Sequence, residues 1–143
     1  MLTGECFCGA VSYRIDGDLN SMYYCHCSQC RKITGSSFST NASVDAAIFT
    51  VTGGRDLIDK VPFDKHFRYH CAQCHSWVYG DSDEYPSMKF IPCGTLNEAP
   101  EKTVDHHVCV DSKAKWVTIN DNLPQYPGPQ PKQSLSDAAP ANK

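Results

Sequence analysis

No apolar run in this chain approaches the ~20 residues that a membrane-spanning helix needs, so the sequence offers no transmembrane segment. The N-terminus, Met1-Leu2-Thr3-Gly4-Glu5-Cys6, lacks both the basic region and the apolar stretch of a secretory signal. Cations are scarce as well. Thirteen Lys and Arg against 16 Asp and Glu give a formal net charge of -3, with no basic stretch, which removes the electrostatic reason to expect a nucleic-acid or anionic-membrane partner. A sustained helical period is also missing. Short alternating runs replace it, and they point to an all-β domain.

Val11, Tyr13 and Ile15 alternate with Ser12 and Arg14, the pattern of a half-buried strand. Further strands are predicted over 19–24, 38–42, 48–52, 57–61, 66–70, 89–92 and 104–110. Gly53-Gly54 and Pro62 serve as punctuation between them. Trp77-Val78-Tyr79 reads as a strand stopping at Gly80-Asp81, and residues 28–33 as a short helical turn that Gly35 ends. Five of the nine prolines fall in 124–143. The ordered domain is therefore expected over 1–126, with 127–143 a flexible tail.

What the chain has in abundance is cysteine, nine in all. Disulfides fit poorly, because the number is odd, no export signal is visible, and thiols one or two residues apart close strained rings. Metal ligation in a reducing, cytoplasmic setting fits better. Seven of the nine stand at ligand spacing: Cys6 and Cys8, Cys25, Cys27 and Cys30, and Cys71 and Cys74. Cys71-Ala72-Gln73-Cys74 is a turn between two strands and supplies two sulfurs. Cys6 and Cys8 are its natural complement, giving a closed four-thiolate zinc whose binding energy counts towards folding. The alternative is two buried cysteines packing as small apolar residues.

Cys25, Cys27 and Cys30 then remain as a triplet. Left open at the fourth position, a three-thiolate zinc is a weak Lewis acid, better suited to holding a substrate thiolate than to making hydroxide. A fourth protein donor would instead make it structural, and Cys93, Cys109, His70, His75, His106 and His107 are all available. Cys93 and Cys109 read first as core residues. His26, inside the cluster, is expected to face away from its neighbours. Arg31 and Lys32 are candidates for binding a substrate carboxylate, and His26 and Ser36 for donating a proton.

At these residues the chain resembles the glutathione-dependent formaldehyde-activating enzyme family, which includes centromere protein V. The matching elements are Gly4-Glu5-Cys6-Phe7-Cys8-Gly9-Ala10-Val11-Ser12-Tyr13 and Cys25-His26-Cys27-Ser28-Gln29-Cys30-Arg31, followed by Cys71-Ala72-Gln73-Cys74, Gly94-Thr95-Leu96 and Asp121-Asn122-Leu123-Pro124-Gln125-Tyr126. The resemblance implies a β-tent fold, a structural zinc on Cys6, Cys8, Cys71 and Cys74, and a catalytic zinc on Cys25, Cys27 and Cys30. It implies a carbon–sulfur lyase that condenses glutathione with formaldehyde to an S-hydroxymethyl adduct. A non-catalytic zinc scaffold is the competing expectation. The chain departs from the family pattern at His75, where glycine is usual, and at Asn97, where aspartate is usual.

Overall fold

The computed structural model describes residues 1–129. The chain runs through ten strands: β1 Leu2–Glu5, β2 Ser12–Ile15, β3 Ser21–Cys25, β4 Ser39–Asp45, β5 Phe49–Gly53, β6 Ile58–Phe63, β7 His66–Cys71, β8 Trp77–Ser82, β9 Met88–Pro92 and β10 His106–Val108. The one α-helix among the described residues, α1, spans Ser28–Thr34, and Gly35 ends it in the left-handed region at φ 66° with its N–H bonded to Arg31 O. The fold is thus mostly β, as expected. A three-stranded sheet has the order β1-β2-β5, and a seven-stranded sheet the order β10-β3-β4-β9-β8-β7-β6. Neighbours are antiparallel except β10, which runs parallel to β3.

The main core lies between the two sheets. Val11, Tyr13, Ile15 and Val51 of the small sheet and its approaches meet Ala42, Val44, Val78 and Ile91 of the large one. Each fully buried side chain of this size contributes about 1.5–3 kcal/mol. Alternation sends the intervening residues of the large sheet, among them Asn41 and Phe90, to its other face, where they line a cavity. Phe49 bridges Tyr13 and Tyr79, and Tyr79 stacks on Tyr69 at 4.3 Å.

Three features differ from the sequence reading. β1 pairs with β2 over Leu2↔Ile15 to Glu5↔Ser12, a strand the alternation alone did not mark. β8 runs through Gly80-Asp81 instead of stopping there, because Gly80 sits where a Cβ would come within 2.9 Å of Phe67 O. Pro62 lies inside β6, which tolerates it as the edge strand of its sheet. Past Tyr126 the carbonyls of Pro127 and Gly128 still accept hydrogen bonds from Asp111 and Cys109. The rest of the expected tail, 130–143, lies outside the described residues.

Candidate metal centres and the cavity beside them

The turn at 71–74 closes β7, with His75 N–H bonded to Cys71 O at 2.8 Å. His75 carries φ 67°, a left-handed conformation that histidine tolerates better than a β-branched residue would. The loop after β1 brings Cys6 and Cys8 to the same place. The four sulfurs all lie within 4.8 Å of one another, with Cys6–Cys8 at 3.6 Å and Cys8–Cys71 at 3.8 Å. Tetrahedral zinc with sulfur at 2.3 Å requires edges of about 3.8 Å, so this donor set fits the ion.

Donors surround these sulfurs. Val11 N–H reaches Cys6, Gln73 and Cys74 N–H reach Cys71, and the Gln73 amide reaches Cys8. Hydrogen bonds to sulfur favour its ionised form. Burial raises the Cys74 thiol, but Ser76, at 3.1 Å from the sulfur, and backbone donors outweigh this and bring it down to about 5. These donors favour the thiolate form that a zinc ligand at Cys74 requires. Burial alone pushes Cys93, packed on the main core, up to about 12.

The second group forms where β3 runs into α1. Cys25 ends the strand; Cys27 caps the helix, its sulfur accepting from Cys30 N–H at 3.2 Å; Cys30 lies in the first helical turn. Their sulfurs also lie within 4.8 Å of one another, so the three thiols converge as one ligand group. Hydrogen bonds from Cys109, Cys25 and Cys30 drive the Cys27 thiol strongly down, and the same sharing drives Cys25 and Cys30 up. One thiolate forms easily and the next resists, as expected for three sulfurs competing for charge.

Of the possible fourth donors, only Cys109 adjoins the triplet's thiols. It follows β10 in the left-handed region at φ 59° and lies near enough to shift the Cys25 thiol up and the Cys27 thiol down, yet it stands outside the group whose sulfurs share the 4.8 Å range. Cys109 is thus not simply a core residue. His106 lines the cavity, while His70 and His75 belong to the first turn.

His26 faces away from the thiols, as the alternation implies, but into the protein. It is fully buried, with Nε2 2.8 Å from His107 Nδ1, and His107 Nε2 is 2.9 Å from Asp121. Burial, then the His107 and Lys113 charges, lower the His26 pKa, and the His107 hydrogen bond lowers that of Asp121. This line braces the cysteine loop from behind. The segment 121–126 holds its far end, since His107 N–H bonds Pro124 O and Tyr126 N–H bonds His107 O.

A cavity of about 260 Å³ opens beside Cys25, Cys27 and Cys30. Its floor follows from register: Tyr23 lies between Asn41 on β4 and His106 on β10. Its far wall carries Phe63, Arg68 and Trp77. Arg68 Nη2 lies 4.0 Å from Cys30 Sγ, although β7 is four strands from β3 in the sheet order. In a flat sheet those strands would stand about 19 Å apart, so the sheet curls around the cavity. Arg31, Lys32, His26 and Ser36 do not line it. Arg31 instead bonds Ser112 O. Arg68 carried no local signal in the sequence, because only the curl brings it to the thiols.

Residues 1–112 match the family model described as "Glutathione-dependent formaldehyde-activating enzyme". A protein of Halomonas elongata named "Putative glutathione-dependent formaldehyde-activating enzyme" is 28% identical over 130 residues, spanning 83% of this chain and 81% of its own. A crystal structure of a Rhodobacter sphaeroides protein superposes with a TM-score of 0.58 at 19% identity, covering 69% of this chain and 91% of that one. This second likeness concerns the fold alone. No helix among the described residues is long and apolar enough to cross a membrane.

Proposed function

This chain belongs to the glutathione-dependent formaldehyde-activating enzyme family, and from that premise we propose that it is a zinc-dependent carbon–sulfur lyase. It joins a thiol, glutathione being the one the family name indicates, to formaldehyde or a related aldehyde as an S-hydroxymethyl adduct. The observation that carries the reading is a three-thiol group bordering a cavity, alongside a separate four-thiol group away from it. In this reading Cys6, Cys8, Cys71 and Cys74 hold a structural zinc, and Cys25, Cys27 and Cys30 hold a catalytic one. All nine cysteines are free, in keeping with a working place in the reducing cytosol.

Zinc on the triplet would supply deprotonation of a substrate thiol at neutral pH. The chain's own residues do the rest. Cys27 is fixed by its role as helix cap, and Cys30 is fixed in the helix, so the triplet keeps its geometry without a large ordering cost. The aromatic walls exclude water and hold the aldehyde near the sulfur, and proximity supplies most of the acceleration. The carbon–sulfur bond forms as the carbonyl π bond opens, and the thiol proton ends on the new hydroxyl, so no oxidant or reductant enters.

Exchange NMR on glutathione and formaldehyde, with the protein fully zinc-loaded, tests this. Adduct exchange is expected above the uncatalysed rate, and no acceleration would sink the activity. A scaffold reading draws on one observation, Cys109 beside Cys25 and Cys27. If Cys109 closed the site, Cys109→Ser would lower mean sulfur coordination from about four to about three and a half per zinc by X-ray absorption. The lyase reading expects no change in coordination from that substitution and full retention of zinc against a chelator.

A further inference from the structure

The lyase reading leaves unassigned the group that receives the aldehyde oxygen. When sulfur attacks a carbonyl carbon, the π electron pair moves onto the oxygen, and an alkoxide develops beside the new bond. A donor already fixed there lowers the barrier most, because nothing has to reorganise as the charge appears.

Arg68 has the properties of that donor. It is the one Lys or Arg of the cavity lining, and its Nη2 lies 4.0 Å from Cys30 Sγ. A thiol that reaches the triplet from the cavity arrives beside this guanidinium, and so does the carbon its sulfur attacks. The guanidinium carbon lies 5.3 Å from the Phe63 ring centre and 5.1 Å from that of Trp77, contacts that hold the cation in place before substrate comes. Among the described residues it forms no ion pair. Asp81, the carboxylate of the lining, is engaged by Lys89 at 2.8 Å and by the Tyr69 hydroxyl.

The other polar groups of the lining do not take this role. Asn41 Oδ1 and His106 Nε2 are buried, without a hydrogen-bond partner among the described residues, on either side of Tyr23 in the sheet. His106 Nδ1 bonds the Asp105 carboxylate, which can only accept, so Nδ1 carries the hydrogen and Nε2 of the neutral ring is an acceptor. An acceptor repels an alkoxide but suits the N–H groups of a peptide thiol such as glutathione. Gln29 and His66 are exposed, where the high dielectric of water weakens any charge they meet.

Resting on the lyase reading, we propose that Arg68 is a catalytic residue: its guanidinium receives the aldehyde oxygen and stabilises the alkoxide that forms there. The sulfur lone pair makes the carbon–sulfur bond, and the π pair passes to the oxygen facing Arg68. That oxygen then takes up a proton in place of the one the thiol lost. Arg68 keeps its own proton throughout, and no oxidant or reductant enters. The role is the same for glutathione as for any other thiol, since it concerns the aldehyde.

Exchange NMR on the zinc-loaded full chain at saturating glutathione gives the maximal rate. Glutathione titration of cobalt-loaded protein, followed by absorption, gives thiol arrival at the triplet without turnover. Arg68→Gln is expected to lower the maximal rate about 100-fold or more, the range for removing one fixed donor to an oxyanion. Its cobalt titration should stay unchanged, because the lost interaction exists only once the carbon is attacked. Arg68→Lys should return part of the rate, since a point charge still meets the alkoxide although it lacks the fork. A rate lost only through weaker glutathione binding would overturn the proposal and make Arg68 an anchor of the thiol. A cobalt spectrum changed before glutathione is added would overturn it too, making Arg68 a support of the cysteines. Acceleration that survives Arg68→Gln removes this proposal alone. No acceleration in the unaltered protein removes the lyase reading and this proposal with it.

Discussion

Cys71→Ser is expected to cost this protein its cooperative fold. Cys71 is fully buried at the end of β7, pairs with Ile58, and accepts N–H bonds from Gln73 and Cys74. Its sulfur lies 3.8 Å from that of Cys8, across 63 residues of sequence, so the four-thiol group ties the loop after β1 to the large sheet. Apparent binding energies of structural zinc run to about 10–16 kcal/mol near pH 7. Whole domains are stable by only about 5–15 kcal/mol. Since the two are comparable, losing the ion removes a large share of the folding free energy, and the three remaining thiols stay crowded together. Zinc analysis should show one ion fewer per chain, and thermal melts followed by far-ultraviolet circular dichroism should lose their sharp transition. A variant that melts like the unaltered protein with full zinc would refute the structural role.

Cys30→Ser should have the opposite profile: activity gone, fold kept. Its sulfur joins the triplet, but α1 does not depend on it. The helix is capped at one end by Cys27 and at the other by Gly35, and its backbone also receives the Thr34 hydroxyl at Cys30 O. Serine preserves the shape and weakens metal binding. Residues that merely support metal ligands cost 10–100-fold when removed, so a ligand should cost about 100-fold or more in the accelerated rate. The melting transition should move by no more than about 1–2 kcal/mol of stability. Retained acceleration in Cys30→Ser, at reduced zinc content, would exclude catalysis at the triplet. Together the two variants separate a metal that folds the chain from one that does chemistry.

The legible parts of the fold share a cause. β2 was readable because Val11, Tyr13 and Ile15 face the core while Ser12 and Arg14 do not, and α1 because Gly35 ends it. β1 shows no apolar alternation, because its one buried residue, Gly4, has no side chain and the strand is held by pairing with β2. Gly80 reads as a stop in the sequence, but a glycine that permits a turn also permits close approach of a neighbouring strand.

The cysteine spacing by itself determined that two thiol groups would form and which residues would make them. Ligands within one turn are brought together by local backbone geometry, and pairs that lack partners must find each other. Tertiary structure alone decided what stands around the triplet. The parallel pairing of β10 with β3 sets Cys109 beside it, the His107 and Asp121 line buries His26 behind it, and the curl of a seven-stranded sheet carries Arg68 to it. Those neighbours come from distant strands, and a strand's pattern records which face is buried but not what the sheet will bring to the other.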